Sequence, residues 1–435
     1  MYHLYYSMRY LIVLGLVFFL GCKKDADKTA PIVDITIPLE NQTFNVMDVI
    51  SVTGSVNDET QITSVAVSLL NEQQQVAHVS VSATVSSPSM NFNVQYPLDD
   101  IHLESGIYYI MVTASDGKND TRKYLKINLI AVPRVLTKLF VVTNTSSSQT
   151  NWGYIDSTFS SIIPYTTFSG DYIGSSCSDY YQQIFNCGNY TGNYSSWNVT
   201  TDMLKYVLPA SVSSTPCFTG YAYNSTKTYV ARYDEVVRGY NYTGGLVYNA
   251  QTISGYYTKH FIFTNGVIIA EQQHKISSNK ILVVYHANGS PDVQTNIAQD
   301  VVTLLEKDNA NVFIFGNTSG QATIQLFDRM NVNLWNPYPF SLAPGSILSA
   351  VKINSDTYLI GHSNGTIYKY QYQSSSLTTY LTGYIAKQLK YDEIGNKLYV
   401  VENNKITRAD YPTATMLNMV TTGENILDMH LLYNR

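Results

Sequence analysis

The chain has 435 residues and a net charge of −5, with charged residues at only 14% and tyrosine at 37 positions. That length exceeds what a single growing core accommodates, so two domains or a large repeat array are required. No basic stripe is present to neutralise phosphates, which excludes nucleic-acid binding as a main role. Glu, Lys and Arg are scarce beside β-branched and aromatic residues, which excludes a mainly helical protein and favours strands.

Near its start the chain carries Met8-Arg9-Tyr10, an apolar run from Leu11 to Leu20, and Gly21-Cys22. This order matches a basic n-region, an h-region and a small residue before a cut, and Met8 serves as well as Met1 for a start. The run is too short to span a bilayer, which needs about 20 apolar residues. Phe19-Leu20-Gly21-Cys22 resembles the lipobox of bacterial lipoproteins, in which the cysteine is acylated and becomes the new N-terminus. The resemblance implies that residues 1–21 are a signal peptide and that Cys22 anchors the protein to a membrane through lipid. Residues 22–30 then form a solvated linker, since Lys23 to Thr29 is charged and has no apolar periodicity. Its start is similar to the Lys-and-Asp tracts of surface-exported lipoproteins of Bacteroidota, which implies the outer membrane, and the cell surface over the periplasmic face.

Residues 31–132 read as a first domain. Ile32 to Ile37, Val49 to Val56, Ile62 to Val67, Phe92 to Val94 and Tyr108 to Ala114 alternate apolar with polar between turn-rich gaps. Such spacing suits a β-sandwich. Gly106 to Gly117 looks like the penultimate strand and hairpin of immunoglobulin-like modules in bacterial surface proteins, with Asp116-Gly117 as the turn and Lys123 to Ile130 as the last strand. The resemblance implies an immunoglobulin-like spacer.

Residues 134–435 carry an internal repeat. Seven strands of one type align on Phe140, Phe185, Tyr229, Ile269, Phe313, Tyr358 and Tyr399, at a mean spacing of about 43 residues, inside the roughly 40 to 50 of propeller blades. Each is followed, after a polar loop, by a second strand. The chain ends on Ile426 to Leu432, a strand without a partner, and the first repeat lacks that very piece. Pairing the two closes a ring and removes open sheet edges. The fold class is therefore all-β, an immunoglobulin-like β-sandwich followed by a seven-bladed β-propeller closed by the C-terminal strand. Tyr391 to Arg408 resembles blades of the YVTN and NHL-like propeller families, which contain both binders and enzymes and so transfer no function.

Catalytic signatures are missing: the sequence has no His-Glu-x-x-His, Gly-x-Ser-x-Gly, phosphate-cradling glycine loop or Cys-x-x-Cys. His260, His274 and His286 fall in one repeat without a carboxylate at ligand spacing, so neither a metal nor another cofactor is expected. Asp428 and His430 share one face of the closing strand by period 2, a placement that suits structural hydrogen bonding. Cys177 and Cys187 flank an apparent hairpin, which makes a disulfide possible in an exported protein and leaves Cys217 over. Trp152 and Trp197 follow the same polar loop in successive repeats, with Tyr154, Tyr190 and Tyr194 close by. Such rings serve packing between blades, or offer flat faces to a sugar or protein. The function expected is a non-catalytic envelope binding protein with a glycan or protein partner. An enzyme acting on extracellular polysaccharide and a structural subunit of an envelope complex are the alternatives.

Overall fold

The computed structural model describes residues 29–211, 214–224, 226–338 and 342–435. Residues 1–21, expected to be a signal peptide, and Cys22 lie outside them. The chain divides into two compact units, Met1–Pro133 and Arg134–Arg435.

The first unit contains β1 (Ile32–Ile37), β2 (Gln42–Asn45), β3 (Val49–Asn71), β4 (Val76–Pro97), β5 (Gly106–Ser115) and β6 (Asp120–Ile130). The sheet runs β1-β3-β5-β6-β2, with β4 also paired to β3 and β2 parallel to β6. The sequence suggested separate strands at Val49 to Val56 and Ile62 to Val67. They form one continuous β3, whose pairing with β4 shifts register between Asn57 and Ile62 and again between Ile62 and Ser64. All six strands thus share one hydrogen-bonded sheet, whereas a plain sandwich would have two. Val52, Val67, Phe92, Ile110 and Ile127 nevertheless meet in a single core, so the sheet curls round its own apolar face. At the β5–β6 turn the Asp116 carboxylate accepts the amides of Lys118 and Asn119, and Gly117 takes φ 93°, as the Asp-Gly pair requires.

The second unit is a seven-bladed β-propeller, each blade a four-stranded antiparallel sheet. Blade 1 consists of the closing strand Asn425–Tyr433 and then β7 (Leu136–Ser146), β8 (Gln149–Ile155) and β9 (Ile162–Ser169). Blade 2 comprises β10 (Gly174–Ser178), β11 (Gln183–Cys187), β12 (Tyr194–Asn198) and β13 (Met203–Leu208). The innermost strands of blades 3 to 7 are Phe218–Tyr223, Tyr256–Thr264, Asp300–Glu306, Ile347–Lys352 and Gln388–Asp392. All seven repeat strands become second strands of blades. They are buried on both faces, as in Gln183–Cys187 and Thr357–His362, which explains their near-continuous apolar character.

Closure follows the expected pairing, with His430 opposite Phe140 and Leu432 opposite Lys138. The closing strand alternates between two cores. Met429 joins Val141 and Val401 between blades 7 and 1, while Leu432 joins Phe140, Trp152 and Ile184 between blades 1 and 2. Antiparallel order places the loops joining second to third strands, and blade to blade, on one face of the ring, called here the upper face.

Candidate binding face and channel

Trp152 sits on β8, 1% exposed, and its indole N–H donates to Asn186 Oδ1 at 3.1 Å. The ring lies in the core between blades 1 and 2 and stacks on His430 at 5.6 Å. Tyr194 opens β12 opposite Cys187 and is wholly buried, stacked on Phe185. Both were candidates for a ligand surface, and the structure places both in the core, in the packing role between blades that the sequence also allowed. Trp197, half-buried, donates to Asp202 at 3.1 Å and packs edge-on to Phe168. Tyr154 lies under the Lys138 ammonium, 4.4 Å from its ring centre. Of the five rings only Tyr190 is exposed, at 39%.

The possible Cys177–Cys187 bridge does not form, since Cys177, Cys187 and Cys217 are all free. In the β10–β11 hairpin Cys177 faces Ile184 and Cys187 faces Gly174. An offset of three residues separates the cysteines by roughly 10 Å along the strands and turns them to opposite faces of the sheet.

Tyr190 stands on the β11–β12 loop, which Asp171 holds. The Asp171 carboxylate accepts the backbone N–H groups of Asn189, Tyr190, Thr191 and Gly192 at 2.7–3.0 Å. Burial would push this carboxyl up, but the four donors, that of Tyr190 foremost, hold it below its ordinary range. Gly192 is required here, because a Cβ would lie 2.2 Å from the Asp171 carbonyl oxygen.

Two further rings approach from neighbouring blades. Tyr233, on the corresponding loop of blade 3, meets Tyr257 of the innermost strand of blade 4 at 5.1 Å. Burial, then the proximity of Tyr233, Glu271 and Tyr190, raises the Tyr257 phenol. Lys275 lies over Tyr233 at 4.8 Å and pairs with Glu235 at 2.9 Å.

Below these rings, a bulge between Thr258 and Phe261 brings His260 opposite Glu271. Its Nδ1 is 2.6 Å from Glu271 Oε2; the Glu271 side chain is 1% exposed and that of His260 42%. Such a carboxylate fixes the imidazole so that Nε2 is free to meet a ligand. Nothing in the sequence marks this pair, since the bulge shifts the period that would otherwise align it. His274 takes the amides of Ile276 and Ser277, and His286 pairs with Asp292, so the three histidines serve separate ends. Among the described residues no group of three or more His, Cys, Asp or Glu is placed to hold a metal.

The face shared by Asp428 and His430 is turned to blade 2. Ser175 Oγ is 2.7 Å from His430 Nε2 and 3.3 Å from Asp428 Oδ2, while Tyr172 donates to the same oxygen at 3.2 Å and Lys390 Nζ lies 3.3 Å from Oδ1. Burial would raise the Asp428 carboxyl, yet His430, Lys390 and the Met429 amide hold it well below the usual range. A hydrolytic relay needs the carboxylate on one ring nitrogen and the serine on the other. Here both face Nε2, the carboxylate at 3.4 Å, so the set ties the closing strand to blade 2 and does not activate the serine.

Fold and site together define a seven-bladed propeller with a tyrosine-lined upper face. The chain matches no protein-family model and no curated protein. Among solved structures it is similar to a quinonprotein alcohol dehydrogenase-like protein from Bacteroides thetaiotaomicron, at 12% identity and TM-score 0.47, covering 93% of this chain and 99% of that one. It is also similar to the computationally designed Ika8 protein, at 12% identity and TM-score 0.48, covering 68% of this chain and 87% of that one.

Proposed function

We propose that this protein is a lipid-anchored envelope protein whose propeller binds a glycan or protein partner on its upper face, without chemistry of its own. The observation that carries the reading is the meeting of Tyr233 and Tyr257 from successive blades, with the exposed Tyr190 on the corresponding loop of blade 2. Tyrosine combines a large apolar ring with a polar tip and loses little entropy on binding, which is why it dominates recognition surfaces. The closed Ser175–His430–Asp428 set supports the non-catalytic half of the proposal. The first unit acts as an immunoglobulin-like spacer between the acylated Cys22 and the ring, on the outer membrane and facing the medium.

A glycan array followed by pull-down from envelope extract tests the face: Tyr190→Ala and Tyr257→Ala should each reduce capture tenfold or more, and capture unchanged in both would end the proposal. Mass spectrometry of the mature N-terminus tests the anchor, with an acylated Cys22 expected and an unmodified one fatal to it. The His260–Glu271 pair favours one second reading, an enzyme acting on polysaccharide with His260 as proton acceptor. Turnover of an envelope polysaccharide that is lost in His260→Gln would establish it.

A further inference from the structure

A second recess lies where the ring closes. A cleft of about 520 Å³ on blade 1 is lined by Thr143 of β7, Asn151 of β8, Tyr165 and Thr167 of β9, and Glu424, which precedes the closing strand. Its volume falls in the range of small-molecule sites. Among the described residues of the lining Glu424 alone is charged. Its carboxylate accepts Thr143 Oγ1 and, through both oxygens, Asn151 Nδ2 at 3.2 Å. Asn151 Oδ1 in turn accepts the Thr167 hydroxyl at 3.4 Å and the Gln149 amide at 2.7 Å. Side chains from four segments are thereby joined in one row across the seam, a fixed set of acceptors and hydroxyls beside the apolar Ile162 and Pro164.

We infer that this cleft binds an uncharged sugar ring. The chemistry fits on three counts. The Glu424 carboxylate keeps acceptor capacity beyond its three hydrogen bonds for a hydroxyl, threonine hydroxyls serve as donor or acceptor, and Ile162 and Pro164 in the lining offer an apolar surface to the C–H side of a pyranose. The lone negative charge, without a cation in the lining, rejects acidic sugars. An occupant touching Glu424 and β8 together bridges the two ends of the ring and stabilises its closed form. The site is separate from the tyrosines of the upper face, so its success or failure does not depend on the proposal above.

Saturation-transfer NMR on the full chain, with methyl β-glucoside, methyl β-galactoside and methyl β-xyloside against glucuronate, tests the inference. At least one neutral glycoside should bind at least tenfold more tightly than glucuronate and raise the unfolding temperature. Glu424→Gln should weaken neutral binding about tenfold and erase the discrimination against glucuronate. Thr167→Trp, an exposed substitution that fills the cleft without touching the core, should abolish transfer, and Tyr190→Ala should leave it intact. The inference is overturned by the absence of transfer from all three glycosides, by transfer that survives Thr167→Trp, or by equal binding of glucuronate to the unaltered protein.

Discussion

Truncating Leu432 to alanine gives a quantitative test of ring closure. The side chain is wholly buried against Phe140, Val142, Trp152 and Ile184, and removal of so well enclosed a leucine costs about 2–5 kcal/mol. Taking about 3 kcal/mol, and roughly 2–4 °C per kcal/mol for a large domain, the propeller transition should fall by about 6–12 °C. Met429, equally buried but on the other face of the same strand among Val141 and Val401, should give a similar loss. The two cores do not overlap, so the double variant should lose about 6 kcal/mol, near the whole stability of many domains. Met419→Ala on the outer strand of blade 7, where the side chain is 57% exposed, is the control and should move stability by less than about 0.5 kcal/mol. Differential scanning calorimetry reads all four proteins. A Leu432→Ala transition within 2 °C of the parent would refute the view that the last strand is an integral part of blade 1.

Three other outcomes are expected. Burial pushes the phenols of Tyr229, Tyr285 and Tyr399 up to about 12; because the folded value is raised, their contribution is complete below the unfolded value near 10 and disappears as pH climbs through 12. Circular dichroism should therefore show cooperative alkaline unfolding between pH 10 and 12, and a flat signal across that window would contradict it. Asp171→Asn should cost about 2 kcal/mol by weakening four amide contacts, and Gly192→Ala about 3 kcal/mol through the forced contact with the Asp171 carbonyl; urea melts as sharp as the parent's at unchanged midpoints would discredit this account of the loop. Alkylation of denatured, unreduced protein should label Cys177, Cys187 and Cys217 alike, and a cross-linked Cys177–Cys187 peptide is the contrary result.

The propeller was legible because its second strands are buried on both sides and repeat their aromatic or aliphatic third residue, from Phe140 to Tyr399, at nearly constant spacing. The unpaired last strand was equally plain from period and position. Sequence failed where register decides. Cys177 and Cys187 are symmetric in number about Gln182, but the hairpin turns between Ser178 and Gln183 and pairs Cys177 with Ile184, and the bulge that joins His260 to Glu271 leaves no compositional mark. Trp152 and Trp197 follow the same loop, yet the former is buried and the latter only half so, because partners from the neighbouring blade set their depth. In the first unit a single long β3 was read as two strands, since its shift near Asn57 resembles a turn in composition. Glu424 drew no notice because its neighbours in the cleft lie far away in the chain.

The pairing of Leu432 with Lys138 spans nearly three hundred residues, and it sets the order of events in manufacture. Blade 1 stays an incomplete sheet during synthesis until the closing strand emerges, so a product truncated before that strand presents a raw edge that degradative proteases and holding chaperones recognise. Long-range pairing of this kind forms late and slowly. The ring thus inspects its own length: only a molecule read through to its last strand can leave quality control in the closed state.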